Sequence, residues 1–276
     1  MKPRGPRSTP GGTGRRDGRA AFLGGWESAR IDGADHPEER YLAEADPRLG
    51  ALIARVIEVQ GPRRYGPSNA SSHFDAIARS IVYQQLSRQA AATIYARYRG
   101  VVPGGGPDEV VAVRPAALRS AGLSAPKVRY LKALAAAVSS GALDLRRIDE
   151  ASDDEVVGAL TAIPGVGVWT AQMFLMFRLR RPDVLPAHDV GIQRGLQVAH
   201  HLGRSAAPGY VMRAGARWAP RRSLACLYLW AGADLKPDVL APSPPARVVS
   251  GLPRRRPARA TRPRTRSPRA PPPRPP

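Results

Sequence analysis

Features that mark several large classes of protein are scarce or absent in this chain of 276 residues. Cys226 is its only cysteine, so the chain alone can form no internal disulfide, no iron–sulfur cluster and no thiolate zinc site. It has no apolar run of about 18 residues or more, and its N-terminus lacks the apolar segment of a signal peptide. We therefore expect a soluble, intracellular protein that does not interact with a membrane.

Acidic residues are scarce as well. The chain has 22 aspartates and glutamates against 43 lysines and arginines, which gives a formal net charge of +21 and an isoelectric point near 11.4. An excess of this size indicates a polyanionic partner, and nucleic acid before an acidic membrane.

The two terminal segments hold much of this charge and few apolar residues. Residues 241–276 contain ten arginines, many prolines and no acid, and residues 1–44 are rich in glycine, proline and arginine. Neither composition can bury enough apolar surface to fold. We predict disorder for both segments and a folded domain over residues 45–240.

Helical periodicity dominates the chain between these segments. Apolar residues recur at spacings of three and four, and no run alternates in the manner of a β-strand. Asp46-Pro47 has the form of a helix N-cap followed by a first-turn proline, and Ser152-Asp-Asp-Glu155 that of a capping box. The sequence therefore predicts an all-α domain.

A glycine-rich turn, Ile163-Pro-Gly-Val-Gly167, lies between two of the predicted helices. Its glycines permit a tight turn and a close approach to another chain. They also leave exposed the amides at the start of the following helix, which can bind a phosphate without sequence preference. A turn that only packs two helices together would need the same residues, and this alternative stays open here.

Asp189 follows Gly167 by 22 residues, at the predicted start of another helix. An aspartate in this place can be a helix N-cap, and the same carboxylate can stabilise positive charge that develops in a reaction. The two roles are compatible. We interpret the neighbouring His188 as structural, because no second metal ligand has a suitable spacing. A phosphate-binding turn with one positioned acid indicates chemistry on a nucleic acid.

Aromatic and amide side chains accompany these features. Trp169, Trp218 and Trp230 can form an ordinary core or an aromatic pocket for a base turned out of the duplex. Gln84-Gln85 lies where one predicted helix meets the next, and its amides can face solvent or contact a base pair. The residues themselves leave both pairs of alternatives open.

The turn, the helix after it and the acid together resemble the helix-hairpin-helix DNA glycosylases, specifically the 3-methyladenine DNA glycosylase II (AlkA-like) branch. The similarity covers about Ala45 to Lys236. It implies the helix-hairpin-helix glycosylase fold, a catalytic role for Asp189 and an aromatic pocket for the base. The pocket positions are Trp169 and Trp230, with Met173 where relatives often have a tyrosine.

The resemblance also implies how DNA and a cation are bound. The amides of the hairpin would hold DNA phosphate, at the positions Gly165, Gly167 and Thr170. The pair Gln84 and Gln85 falls in the loop that enters the duplex as a wedge. Backbone carbonyls of the hairpin would bind a monovalent cation, Na⁺ or K⁺, and no other cofactor is expected. The positions of these carbonyls are Thr161, Ile163 and Val166.

One position separates the reaction types within this superfamily. Members with lyase activity have a lysine just before the Thr-Ala of the hairpin, and that position is Trp169 here. No lysine lies between Lys132 and Lys236, and Cys226 alone cannot form the four-cysteine cluster of other branches. The resemblance therefore implies a monofunctional enzyme, in a short form without the amino-terminal β-domain of larger members.

The implied function is hydrolysis of the N-glycosidic bond of alkylated purines, such as 3-methyladenine and 7-methylguanine, in double-stranded DNA. The expected product is an abasic site in base excision repair. We expect a monomer that acts at the nucleoid in a bacterial cytoplasm or in a eukaryotic nucleus. Two alternatives remain: a non-catalytic helix-hairpin-helix DNA-binding protein, and a glycosylase for deaminated bases such as uracil or hypoxanthine.

Overall fold

The computed structural model describes residues 36–66, 68 and 70–235. Within these ranges the backbone forms twelve α-helices, one 3-10 helix (Ala216–Trp218) and no β-strand, so the all-α prediction is confirmed. The helices are, in chain order, α1 Pro37–Ala45, α2 Pro47–Gln60, α3 His73–Tyr83, α4 Arg88–Val101, α5 Pro107–Ala112, α6 Pro115–Ser120, α7 Ala125–Ser139, α8 Asp153–Thr161, α9 Val168–Phe177, α10 Val190–Ala199, α11 Pro208–Gly215 and α12 Arg222–Ala233. The predicted disordered tail, residues 241–276, lies outside the described residues, as do residues 1–35.

Capping side chains explain where half of these helices begin. In six of them the N-cap side chain accepts a hydrogen bond from the amide three residues later, which would otherwise lack a partner within the helix. At the start of α8, the Glu155 carboxylate also accepts a hydrogen bond from the backbone amide of Ser152, so the predicted capping box is confirmed. The six caps are Asp46, Ser72, Ser87, Ser124, Ser152 and Asp189.

Helical structure begins at Pro37, so the prediction of disorder through residue 44 is wrong for its last part. Leu42 of α1 is fully buried, and Glu39 is buried as well. The Glu39 carboxylate accepts hydrogen bonds from Arg64 (Nη2–Oε2, 3.0 Å) and from the Tyr228 hydroxyl (2.7 Å). These contacts join residues distant in sequence, and hydrophobic periodicity carries no signal for a buried acid.

Two groups of helices meet at the predicted site through side-chain contacts, such as that of Trp169 with Asp189. In one group, α10 and α12 are in close contact and both pack on α2. A side chain at Gly195 of α10 would overlap the Leu229 carbonyl of α12, so the two backbones touch. In the other group, α3 packs on α4 and α7, and α9 packs on α8 and α3. No helix in the described part of the chain is both long and apolar enough to span a bilayer.

Candidate active site

Asp189 is the N-cap of α10, and its carboxylate is fully buried. Oδ1 accepts a hydrogen bond from the Ile192 amide at 2.9 Å and one from Trp230 Nε1 at 3.0 Å. Oδ2 accepts a bond from Trp169 Nε1 at 2.7 Å. The structure therefore unites the predicted acid with both predicted pocket tryptophans, and donors on both oxygens fix the orientation of the carboxylate.

A glycine allows the Trp230 indole to approach this acid. A side chain at Gly191 would place its Cβ 2.6 Å from Trp230 Cδ1 and 3.0 Å from Asp189 Oδ1. Only hydrogen can occupy that space, because non-bonded carbon atoms do not come closer than about 3.5 Å at rest. Gly191 is thus a site residue that sequence analysis missed, although its place two residues after the acid was a usable signal.

Trp230 also forms part of an aromatic cavity of about 160 Å³. Its ring lies 5.9 Å from that of Phe177 with 26° between the planes, and Tyr65 meets Phe177 edge-on at 5.6 Å. An engineered protein cavity of about 150 Å³ accommodates benzene, so this space suits one aromatic ring. The lining residues are Gln60, Arg63, Arg64, Tyr65, Gly66, Phe177, Leu227, Trp230, Ala231 and Asp234.

Two aromatic residues in the wall of this cavity, Phe177 and Tyr65, were not predicted from the sequence. The sequence offered an indication of Phe177, since it lies eight residues after Trp169 on α9. No pattern in the sequence indicated Tyr65, because it belongs to a segment after α2 that forms neither helix nor strand. That segment is held by side chains from elsewhere: Arg180 donates to the Gly66 carbonyl, and the Arg63 amide donates to the Tyr228 hydroxyl at 3.1 Å.

Met173 does not line this cavity, contrary to the expectation that it shares a pocket with Trp230. Its side chain is fully buried between α9, α3 and α8 and lines a separate space of about 20 Å³ with Thr170 and Leu160. A space of that size holds a water molecule and no base. The direction of its side chain toward α3 and α8 puts Met173 in the core, and spacing along α9 could not decide this.

The hairpin between α8 and α9 has the geometry expected of a phosphate-binding turn. Gly165 has φ +85°, and the ring of Tyr130 packs where a side chain would begin. Gly167 is the N-cap of α9 and makes no side-chain cap, and the space around its Cα is open. The first helical bond is from the Ala171 amide to the Gly167 carbonyl, at 3.0 Å. The amides that precede it, including that of Thr170, have no acceptor within the helix.

The two glutamines after α3 have different surroundings. Gln84 donates from Nε2 to the Gly165 carbonyl at 2.9 Å, which ties this loop to the hairpin. Lys127 Nζ donates to the carbonyls of Val82 (2.7 Å) and Gln84 (2.8 Å), and burial lowers the pKa of this lysine. Gln85 is exposed and has φ +58°. Gln84 therefore supports the loop, and Gln85 is the side chain available at its tip.

The predicted carbonyl positions lie at the end of α8 and in the hairpin. Thr161 is the last residue of α8, and the Ile163 carbonyl accepts the Val166 amide at 3.0 Å. Three backbone oxygens within six residues, at the negative end of a helix, suit a hard monovalent cation. Among the residues that the structure describes, no group of three His, Cys, Asp or Glu side chains could hold a metal ion.

Two further residues considered from the sequence lie away from the Asp189 cluster. Trp218 is fully buried, and its Nε1 donates to Asp46 Oδ2 at 3.1 Å. It belongs to the core, which was one of its two open interpretations. His188 is exposed beside Asp189. Neither residue takes part in the arrangement around the catalytic candidate.

Known proteins provide an independent comparison. The family profile of the HhH-GPD superfamily base excision DNA repair proteins matches residues 78–221. The chain is 33% identical over 197 residues to DNA-3-methyladenine glycosylase 1 of Schizosaccharomyces pombe, which covers 68% of this chain and 86% of that protein.

Solved structures agree with this match. The crystal structure of a DNA-3-methyladenine glycosidase from Bacillus halodurans superimposes with a TM-score of 0.63 at 37% identity, over 76% of this chain and 92% of that one. The S. pombe 3-methyladenine DNA glycosylase Mag1, in complex with abasic DNA, gives 0.62 at 30% identity, over 71% of this chain and 95% of that one. The chain belongs to the HhH-GPD superfamily of base excision DNA repair proteins, in its 3-methyladenine DNA glycosylase family.

Proposed function

We propose that this protein is a monofunctional DNA glycosylase that hydrolyses the N-glycosidic bond of alkylated purines, of the 3-methyladenine and 7-methylguanine type, and leaves an abasic site. The observation that carries the proposal is the buried Asp189 carboxylate, held by two indole N–H groups, one of them from Trp230 in the wall of an aromatic cavity of about 160 Å³. The names of the similar proteins support the same activity.

The aromatic cavity binds the flipped base in this proposal. Alkylation at a ring nitrogen makes the purine cationic, and a cation over the ring of Trp230 or Tyr65 is favoured by roughly 0.5–2 kcal/mol. Turning a base out of the duplex costs a few kcal/mol, and less for a damaged base that stacks and pairs poorly. Selection of the lesion therefore begins in the DNA before the cavity is occupied.

Asp189 acts on the sugar. As the bond to the base breaks, positive charge develops on the sugar ring, and the carboxylate stabilises it and orients the attacking water. The alkylated base leaves as a neutral molecule, so no strong general acid is required. Because Asp189 is fully buried in the free protein, sugar and water reach it only after DNA binding has opened this side of the site.

No lysine in the described part of the chain is placed to attack the sugar. Within residues 70–235 the lysines are Lys127 and Lys132, and each ammonium donates to backbone carbonyls, Lys127 to Val82 and Gln84 and Lys132 to Val111 and Val113. Position 169 holds a tryptophan that binds Asp189. Hydrolysis by water, without a covalent enzyme–DNA adduct, follows from these placements.

The DNA-binding roles proposed for the hairpin region rest on its exposed groups. The amides at the start of α9 bind a phosphate, in the manner of other helix N-termini. Gln85 enters the duplex in place of the flipped base, and Gln84 holds the loop against the hairpin. Double-stranded DNA with alkylated bases is the proposed partner of a monomeric protein, at the nucleoid of a bacterium or in the nucleus of a eukaryote.

We also propose that the carbonyls of Thr161, Ile163 and Val166 bind Na⁺ or K⁺. The cation would supply positive charge next to the phosphate-binding amides, with no part in the chemical step. Affinity for undamaged duplex, measured in K⁺ and in a bulky organic cation at equal ionic strength, tests this. Affinity that does not depend on the cation would contradict the site.

The reaction itself is tested with methylated duplex DNA. We expect release of free 3-methyladenine and 7-methylguanine, detected by mass spectrometry, and an intact strand that alkali cleaves at the abasic site. Borohydride should trap no protein–DNA adduct. A trapped adduct would refute the monofunctional assignment, and release of no methylated base would refute the proposed substrate class.

A further inference from the structure

Asp234 lies at the rim of the aromatic cavity. It is the residue after the end of α12 and follows Trp230 by four positions, so the two share a helix face. Both line the cavity of about 160 Å³. Trp230 is only 8% exposed, whereas Asp234 is exposed. The tryptophan thus forms the wall, and the carboxylate stands on the same side at the solvent edge.

The charges around the cavity make this carboxylate distinctive. Among the described residues that line it, Asp234 is the one acid, and Arg63 and Arg64 are the two bases. Arg64 is paired with Glu39 of α1 through Nη2 and Oε2, at 3.0 Å. Asp234 is therefore the negative charge in the cavity wall that offsets the positive charge of Arg63. Without it, the positive charge that remains would repel a cationic base.

Burial and charge act on both groups in the expected directions. Burial raises the pKa of Asp234 above its ordinary value, and the positive charge of Arg63 opposes this rise. Burial lowers the pKa of Arg63, which the charges of Tyr228 and Asp234 oppose. Both side chains line the same cavity, so their charges can interact there.

We propose that Asp234 is a specificity-determining residue that favours cationic alkylated purines over neutral bases in the cavity, an inference that rests on the proposed glycosylase function. A methylated purine enters with a positive charge, and the Asp234 carboxylate attracts it while offsetting Arg63. Asp189 is assigned to the sugar in the proposed mechanism, and its carboxylate is already engaged by Trp230 and Trp169, so a second acid at the cavity adds discrimination at the base.

The decisive variant is Asp234→Asn, which removes the charge and keeps the size of the side chain. The backbone amide of Asp234 caps α12 by donating to the Ala231 and Gly232 carbonyls, and asparagine preserves these bonds. We expect the single-turnover release of 7-methylguanine to fall about tenfold, which corresponds to about 1.4 kcal/mol. Affinity for a duplex with a tetrahydrofuran abasic site, which contains no base, should change less than about twofold.

Two further variants isolate the charge. Asp234→Glu keeps it and should restore most of the release. Asp144→Asn removes one charge from an exposed ion pair with Arg146 and should leave release unchanged, which controls for the effect of net charge on DNA binding. Equal losses of release and of abasic-site affinity in Asp234→Asn, or no loss of release, would overturn the proposal. Wild-type protein that releases no methylated base would instead refute the proposed function beneath it.

Discussion

Asp46 and Asp189 have almost the same local environment and, in our interpretation, different purposes. Each is a buried N-cap whose carboxylate accepts a hydrogen bond from the amide three residues later. Each also accepts one from an indole N–H, which belongs to Trp218 for Asp46 and to Trp230 for Asp189. The second polar partner differs: Asp46 Oδ2 lies 3.0 Å from His200 Nε2, whereas Asp189 Oδ2 accepts from Trp169.

The surroundings of the two clusters distinguish structure from function. Trp218 is fully buried, and His200 is buried and lies 2.8 Å from the hydroxyl of the half-buried Tyr210. Trp230 borders an open cavity, and Trp169 is half-buried beside the hairpin. A capped and hydrogen-bonded aspartate is therefore no indication of catalysis by itself. The two clusters differ in their tryptophan partners, since Trp230 lines a cavity and Trp169 lies beside the hairpin, whereas Trp218 is enclosed in the core.

The largest expected effect is that of Asp189→Asn on base release. Asparagine can still cap α10 but carries no negative charge for the developing sugar cation, so the single-turnover rate should fall by about 10²–10³-fold or more. The variant should remain folded, and its affinity for abasic DNA should stay close to the wild-type value. Near-normal turnover would remove Asp189 from the mechanism.

The matched change at the other cluster, Asp46→Asn, should have the opposite profile. Hydrogen bonds to a buried charged group contribute about 1.5–3 kcal/mol, so we expect the free energy of unfolding to fall by roughly 2 kcal/mol. For a domain of this size that is a decrease in Tm of about 4–8 °C. Base release at 25 °C should be unaffected, and a loss of release comparable to that of Asp189→Asn would break the comparison.

Stability at acid pH should depend on Asp46. Burial would raise the pKa of Asp46, but hydrogen bonds from His200, the Leu49 amide and Trp218 outweigh it and lower the pKa from 3.8 to about 2. A lowered pKa stabilises the folded state fully above about pH 4, and this contribution of roughly 2 kcal/mol disappears as the pH falls from about 4 to 2. Denaturant unfolding at pH 5 and pH 3 should show a steeper loss for wild type than for Asp46→Asn. Parallel losses would contradict the assignment.

Removal of single indole N–H groups should give the smallest effects. Trp169→Phe deletes one donor to Asp189 and should lower base release about tenfold, because the carboxylate loses orientation. Trp218→Phe deletes one donor to Asp46 and should lower the free energy of unfolding by about 1 kcal/mol at an unchanged rate. Rates and melting curves of both variants, measured side by side, check this, and an exchange of the two phenotypes would refute the division of roles.

Much of the site was predictable because its signals are local in sequence. The hairpin glycines, the N-cap at Asp189 and the spacing to Trp169 depend on backbone conformations that neighbouring residues specify. Met173 lies outside the aromatic cavity because the packing of α9 on α3 and α8, and not its spacing, decides which cavity its side chain faces. Helix α1 was missed for a similar reason, since Glu39 is held by Arg64 and Tyr228.

The sequence by itself determined the helical class, several helix starts and the hairpin, since each depends on interactions within a few residues. The family resemblance supplied Asp189 as the proposed catalytic acid. The sequence also excluded a thiolate metal centre, because the chain has one cysteine. Only the tertiary structure decided which tryptophans meet Asp189, which glutamine supports the loop, and that Tyr65, Phe177 and Asp234 surround one cavity. Those contacts join segments up to about 170 residues apart, and their formation depends on the packing of whole helices rather than on any local pattern.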